Sequence, residues 1–418
     1  VVLGYLLARV VISLLLLPLY FRGEMYTAYE LMKARFGDRI RRLTAALFLV
    51  LRALAEGVRV FAISMVVSVV LDTGELVSIL LIVALTLFYT FEGGMTAVIW
   101  TDVVQMFLYV AGAFLSFVVI LGEIPGGFER AIELAATAGK LRVFDFSIGP
   151  PGEFFARTYT FWAGLIGGCF LTTASHGTEQ LLVQRLLSAR NERESRLALL
   201  WSWAVIFFQF TLFLVIGILL WVYYTESGLA PVEPLDRIYP DFVWNHLPVG
   251  VAGLVTAAIL AAAMSNLSAA LNSLASTTIM DFFQPFASGQ GARRRSDREW
   301  LRFSRLATLA WGAGLVGIGL LARHWGSVLE AGLSVASVLY GSLLGVFLLG
   351  VLAPWVGERA AMAGMLAGFL TMVYVKFATP VAWTWYVVIG TLATCVAAVG
   401  AYWLTKGANT WRNRPRPG

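Results

Sequence analysis

Apolar runs long enough to cross a bilayer recur along the whole chain, separated by short polar or Gly- and Pro-containing segments. With about 20 apolar residues needed per crossing, this pattern predicts eleven helices, near 1–20, 43–70, 75–91, 96–122, 158–183, 198–224, 249–281, 303–322, 328–353, 360–375 and 382–404. The second and seventh stretches exceed one crossing, so they are expected to tilt or to continue past the bilayer. Composition points the same way: 59% of the 418 residues are hydrophobic and 13% charged, where a soluble domain has about 45–50% and 25%. A water-soluble fold is excluded. One transmembrane domain over 1–404 is expected, followed by a basic, Arg- and Pro-rich tail at 405–418 that is expected to be disordered.

The formal charge of +6 matters through its distribution among the loops rather than as a sign of nucleic-acid binding. If the connection after the first span is cytoplasmic, the basic residues within 22–42, 185–196, 293–305, 359 and 406–416 share that side. Only those within 130–157 and at 237, 323 and 376 face the other. Positive residues favour the inside, so the expectation is a multi-pass protein of the plasma (inner) membrane with a cytoplasmic C-terminus. The loop at 123–157 carries an amphipathic stretch at 128–134 and the turn sequence Gly149-Pro150-Pro151-Gly152, which predicts an outer cap with a short helix. Val1 already lies in an apolar run, with no Met, basic leader or cleavage site before it, so the expectation is a chain whose first helices lie upstream. Cys169 and Cys395 both sit in apolar runs and are read as packing residues.

Polar groups inside spans are costly and need an explanation. Arg52, Glu56 and Arg59, spaced four and three, share a helical face and predict an interior ion-pair cluster; helix fixation and a role in a gate both fit it. Asp102 follows Trp100 and Thr101 near the cytoplasmic start of its span, with Gln105 about one turn on, and suits cation handling by oxygen ligands. Ser265, Ser268, Asn272 and Ser276 are spaced to line one face of an Ala-, Leu- and Ile-rich helix, so their oxygens are expected to project together into the bundle; interhelical hydrogen bonding alone also explains such a stripe. Gly164, Gly167 and Gly168 precede a polar run from Thr172 and Thr173 through Ser175 and His176 to Gln180, which predicts a discontinuous helix lining a cavity, a candidate solute wall. The three histidines are far apart in sequence, and no phosphate loop, zinc-protease or nucleophile-elbow motif occurs, so nothing supports an enzyme, an organic cofactor, a nucleic-acid partner or an obligate protein partner.

These residues resemble the sodium:solute symporter family, which includes sodium-coupled sugar, proline, pantothenate and sialic acid carriers. The resemblance rests on Tyr26-Thr27-Ala28-Tyr29-Glu30 with Arg35-Phe36-Gly37, and on Tyr89-Thr90-Phe91-Glu92-Gly93-Gly94 with Thr101-Asp102 and Gln105. It rests also on His176-Gly177-Thr178-Glu179-Gln180 with Gln184-Arg185, and on the stretch 261–273 with Asp281. It implies an all-α polytopic membrane protein with the LeuT-type five-plus-five inverted repeat, lacking its first core helix and carrying extra C-terminal helices. By the same implication the protein is a sodium-coupled symporter of a small organic solute, working in the lipid bilayer by alternating access. Sodium is its coupling ion, with Ala262, Ser265, Asn266, Ser268 and Asp102 as sodium ligands and Thr172, Ser175, His176 and Leu333 at the solute. Two departures stand out. Ser265 is followed by Asn266 where the family has a second serine, and the positions resembling sugar contacts are Val2, Thr172 and Leu333, which weakens a sugar substrate. A proton-coupled carrier using Asp102, Glu179 and His176, and a transporter-like sensor module, are the rival readings.

Overall fold

The computed structural model describes residues 1–22, 28–92, 95–283, 296–324 and 328–412. Regular structure there is entirely helical, as hydrocarbon demands, because a helix satisfies its backbone groups within one segment. Each predicted span coincides with a helix or a closely spaced helical series. Nine among the described residues are long and apolar enough to cross a membrane, while Glu75–Phe88 is a shorter apolar helix. The basic 293–295 cluster lies outside the described residues. The last helix, Tyr386–Arg412, runs past 405, where the irregular tail was expected to begin; Lys406 there lies over the rings of Tyr402 and Trp403, at 5.8 and 5.4 Å.

Several spans depart from regular α geometry, among them Val249–Phe283, which ends in the π turns Thr278–Phe283. In Val2–Arg22 the turns Ile12–Leu16 are π-helical, and the cause is local: Pro18 has no N–H to give and its ring crowds the carbonyl four residues back, Leu14. The predicted discontinuity at 158–183 falls within the polar run. Across the glycines the helix stays wound, with a π turn at Ala163–Gly167 followed by Gly168–Gly177, and the chain breaks at 178–179 before Gln180–Leu187. The glycines serve close approach instead of breakage: a Cβ at Gly164 or Gly168 would collide with the Val1 backbone, and one at Gly167 with the Thr384 carbonyl. The Thr178 N–H and hydroxyl both bond the Ala174 carbonyl, at 3.0 and 2.7 Å, which closes the first helix, and the Glu179 carbonyl accepts from Leu182 and Val183 to start the next.

The chain forms two compact units. The first combines Val1–Leu51, Asp145–Ala204 and the chain from Leu333 onward. Its apolar core includes Ile12, Leu16, Tyr20, Phe48, Leu343 and Phe347. Helices Glu358–Ala378 and Tyr386–Arg412 pack intimately because small residues face each other: a Cβ on Gly368 would lie 3.0 Å from the Gly390 carbonyl, and one on Gly364 2.5 Å from the Thr394 carbonyl. Arg35 caps the end of Val328–Leu352, donating to the carbonyls of Gly350 and Ala353 at 3.3 Å and to that of Pro354.

The second unit combines Arg52–Phe144 and Val205–Gly332. Its central helix, Val249–Thr277, packs against Glu75–Glu92, Met95–Glu123 and Asp297–Ala322. The predicted amphipathic stretch of the loop forms Gly127–Thr137. There Arg130 bridges Glu133 and Glu226 at 2.9 and 3.0 Å.

Candidate functional site

The candidate ion ligands all fall in the second unit. Ala-rich sequence lets Val249–Thr277 be approached closely, which buries its small polar groups: Ser265 is 2% exposed and Ser268 5%. From Glu75–Glu92 the Thr90 hydroxyl donates to the Thr86 carbonyl at 2.6 Å and lies 2.9 Å from the Ser268 hydroxyl. This forms a buried cluster of neutral oxygens between two helices. Asn266 is exposed, and its Nδ2 donates to the Ala262 carbonyl at 3.0 Å. That bond uses one of the two lone pairs of Ala262 and leaves the amide oxygen of Asn266 uncommitted to that bond. Asp102 lies in Met95–Glu123, the helix packed on Val249–Thr277, but its side chain lies outside the described ones.

The four-residue stripe is corrected. Ser265 and Ser268 are buried, whereas Asn272 and Ser276 are exposed, and Ser276 bonds back to the Ser273 carbonyl at 3.2 Å. Their angular spacing is right, but at that end the helix buries other faces, at Leu271, Leu274 and Ala275, and leaves Asn272 and Ser276 outside.

The expected ion-pair cluster forms. Oε1 of Glu56 receives Arg52 at 2.9 Å and Arg59 at 2.6 Å. Glu56 is 1% exposed and Arg59 54% as side chains, so only Arg52 and Glu56 are interior. Glu56, Arg59, Asn266 and Leu267 line a cavity of about 210 Å³ within this unit.

The candidate solute residues all fall in the first unit. Thr172 is buried on Gly168–Gly177. One turn on, the Ser175 hydroxyl lies 2.8 Å from Nδ1 of His176. Leu333 is half-buried and packs against the apolar core. The Tyr20 hydroxyl donates to the Gly177 carbonyl at 2.6 Å and ties the first span to this helix.

Two further residues of the unit stand out. Glu179, at the break, accepts from the Tyr340 hydroxyl at 2.5 Å. Arg9 is 1% exposed in the middle of Val2–Arg22, and its role was not read from the sequence. The available signal was a guanidinium in an apolar run whose neighbours three and four residues away, Tyr5, Leu6, Ile12 and Ser13, carry no acid. Among the described residues no group of three or more His, Cys, Asp or Glu is placed to hold a metal ion.

Known proteins place this architecture. The human sodium/iodide cotransporter is 29% identical over 409 residues, covering 94% of this chain and 61% of that protein. The bovine sodium-coupled monocarboxylate transporter 2 is 28% identical over 394 residues, covering 91% and 62%. The chain thus spans about three fifths of the length of these curated relatives. A solved structure of a Na⁺-coupled sialic acid symporter, substrate-bound and outward-open, superposes with a TM-score of 0.79 at 24% identity, covering 96% of this chain and 83% of that one. That likeness establishes the all-α, LeuT-type fold. The profile of one transporter family matches residues 1–368, so the chain belongs to the sodium:solute symporter family.

Proposed function

We propose that the protein is a secondary active transporter that couples inward sodium flow to uptake of a small organic solute by alternating access. The observation that carries this reading is the buried hydroxyl cluster of Ser268 and Thr90, with Ser265 one turn away on the central helix of the second unit. Sodium is a hard ion that prefers oxygen ligands, and these neutral oxygens, with the Ala262 carbonyl, the Asn266 amide oxygen and the Asp102 carboxylate, make up its ligand set. Thr172, Ser175, His176 and Leu333 contact the solute. An ion that binds one conformation better draws the equilibrium toward it, and the solute reads the same equilibrium.

In this reading one transporter domain occupies 1–404, in the plasma membrane, with the C-terminus in the cytoplasm. A specific observation favours a second reading, proton coupling: Glu179 is a buried carboxylate held by a phenol, at a helix break. The two are separated in proteoliposomes holding the purified protein. Uptake of radiolabelled lactate, pantothenate, proline, glucose and sialic acid is followed under an inward sodium gradient, or under an inward proton gradient without sodium. Sodium-driven accumulation of one of them supports symport as proposed; accumulation driven by protons alone replaces it with the proton reading.

A further inference from the structure

Within the first unit, Arg9 is a buried guanidinium held by two neutral acceptors. It lies about 10 Å along its helix from Val2 and about 20 Å from Arg22, at 1.5 Å per residue. A guanidinium remains charged in a protein, and a buried charge needs a counter-charge or a full set of hydrogen bonds. Arg9 makes no ion pair among the described residues. Its Nε donates to the Ser202 hydroxyl at 3.0 Å and its Nη1 to the Tyr5 carbonyl at 3.1 Å. Those two acceptors are neutral, and Nη2 has no hydrogen-bond acceptor among the described residues.

Three other features converge on this place. The helix bearing Arg9 packs on Gly168–Gly177, which carries His176. Ser175 engages Nδ1 of its ring, so Nε2 is left without a hydrogen bond among the described residues. One turn beyond Arg9, in the π-helical segment, the Ser13 hydroxyl is 2% exposed and has no hydrogen-bond partner among the described residues. Such π segments often mark functional sites. Ser202 is itself held, donating to the Leu199 carbonyl at 2.7 Å, so the guanidinium is braced on one edge.

We propose that Arg9 is the anchor for a monovalent anionic group, the carboxylate of the transported solute, with His176 beside it as a second contact, so that the substrate class is a small organic monocarboxylate. A planar carboxylate matches the guanidinium fork with two parallel bonds, and it neutralises the one buried charge of this cluster. This rests on the symporter reading, which left the class of solute open.

The test uses the purified protein in nanodiscs with thermal-unfolding and radioligand readouts. Sodium chloride alone against potassium chloride reports ion binding. Sodium pyruvate, lactate, propionate, nicotinate and pantothenate report the carboxylate, pyruvamide, lactamide, propionamide and nicotinamide are neutral counterparts, and sodium iodide reports a bare anion. The expected result is that at least one carboxylate protects in the presence of sodium, its amide protects at least 10-fold more weakly, and iodide does not replace it. Arg9→Gln should weaken carboxylate binding at least 10-fold while keeping the shift with sodium alone, and Arg9→Lys should lose less. If Arg9→Gln does not fold, the acid-against-amide comparison in the unaltered protein decides. A sodium shift with no carboxylate effect, an amide that binds as well as its acid, an unchanged Arg9→Gln, or iodide protecting as well as the carboxylates overturns the anchor. Absence of any sodium shift overturns the symport reading instead, and carboxylate binding without sodium retains the anchor while removing the coupling.

Discussion

The Tyr340 hydroxyl donates a 2.5 Å hydrogen bond to Oε2 of Glu179, joining the break that follows Gly168–Gly177 to the middle of Val328–Leu352, and both residues are buried. Glu179 also immediately precedes the helix Gln180–Leu187, where a helix dipole favours negative charge.

Removing the phenol therefore leaves a buried carboxylate short of a strong donor. Tyr340→Phe should destabilise the first unit by about 1–3 kcal/mol, read as a lower midpoint in thermal unfolding of the purified protein. Glu179→Gln keeps an acceptor and should lose less. A Tyr340→Phe protein as stable as the unaltered one contradicts this.

The Arg52, Glu56 and Arg59 cluster predicts an asymmetry. Glu56→Gln removes the charge that the buried Arg52 pairs with at 2.9 Å and should cost about 3–5 kcal/mol. Arg59, half-exposed, contributes a surface-like pair, so Arg59→Gln should cost at most about 1 kcal/mol. Equal losses in denaturant unfolding of the two variants would mean that Arg59 is as interior as Arg52.

The contrast between these pairs shows what sequence carries. Spans were legible because crossing hydrocarbon imposes a length and a composition, and the Arg52, Glu56 and Arg59 pairing was legible because its partners lie one turn apart on one helix. The pairing of Arg9 with Ser202 joins residues 193 positions apart, and no local spacing encodes it. Gly164, Gly167 and Gly168 were read with the polar run after them as one discontinuous segment; the break lies in the run, and what the glycines answer is the nearness of Val1 and Thr384. Periodicity likewise grouped Ser265 and Ser268 with Asn272 and Ser276, since it reports a shared face but not which face the neighbours cover at each level, and near 272–276 they cover Leu271, Leu274 and Ala275 instead.

Close approach at Gly368 gives another test. A side chain there would meet the Thr394 hydroxyl and the Gly390 carbonyl, both on Tyr386–Arg412. Gly368→Val should force the two helices apart and cost about 1–3 kcal/mol by overpacking. Gly400→Val, where nothing lies within 4 Å of a Cβ, serves as the comparison and should lose only the small β-branched penalty of a helix interior. Matching melting temperatures for the two variants would mean that the helix pair tolerates separation.

The charge asymmetry of the loops predicts an orientation, with the C-terminus inside. Single cysteines at Ser288 and Gly418, in a background lacking Cys169 and Cys395, should resist an impermeant thiol reagent in intact cells and react after permeabilisation. Gly139, in the loop of the second unit that this placement puts outside, should behave oppositely when replaced by cysteine. Labelling of Ser288→Cys in intact cells would reverse the placement.

The ion assignment makes the most specific demand. Ser268 and Thr90 already satisfy each other, so removing one hydroxyl leaves the other buried; a stability loss from Ser268→Ala is therefore expected whether or not an ion binds there. Asp102→Asn discriminates better, because it preserves shape while removing the only formal charge in the proposed ligand set. In a low-dielectric site that charge offsets much of the desolvation of a bound cation. Asp102→Asn and Ser265→Ala should each raise the sodium concentration for half-maximal uptake several-fold, with a smaller change in solute affinity at saturating sodium. Asn266→Ser, which restores the paired hydroxyls at 265 and 266 and frees the Ala262 carbonyl from its bond to Nδ2, should shift the sodium dependence the opposite way. If Asp102→Asn and Ser265→Ala both keep the original sodium dependence, the ion is held elsewhere, and an unchanged Asn266→Ser would exclude this turn of Val249–Thr277 from the ligand set.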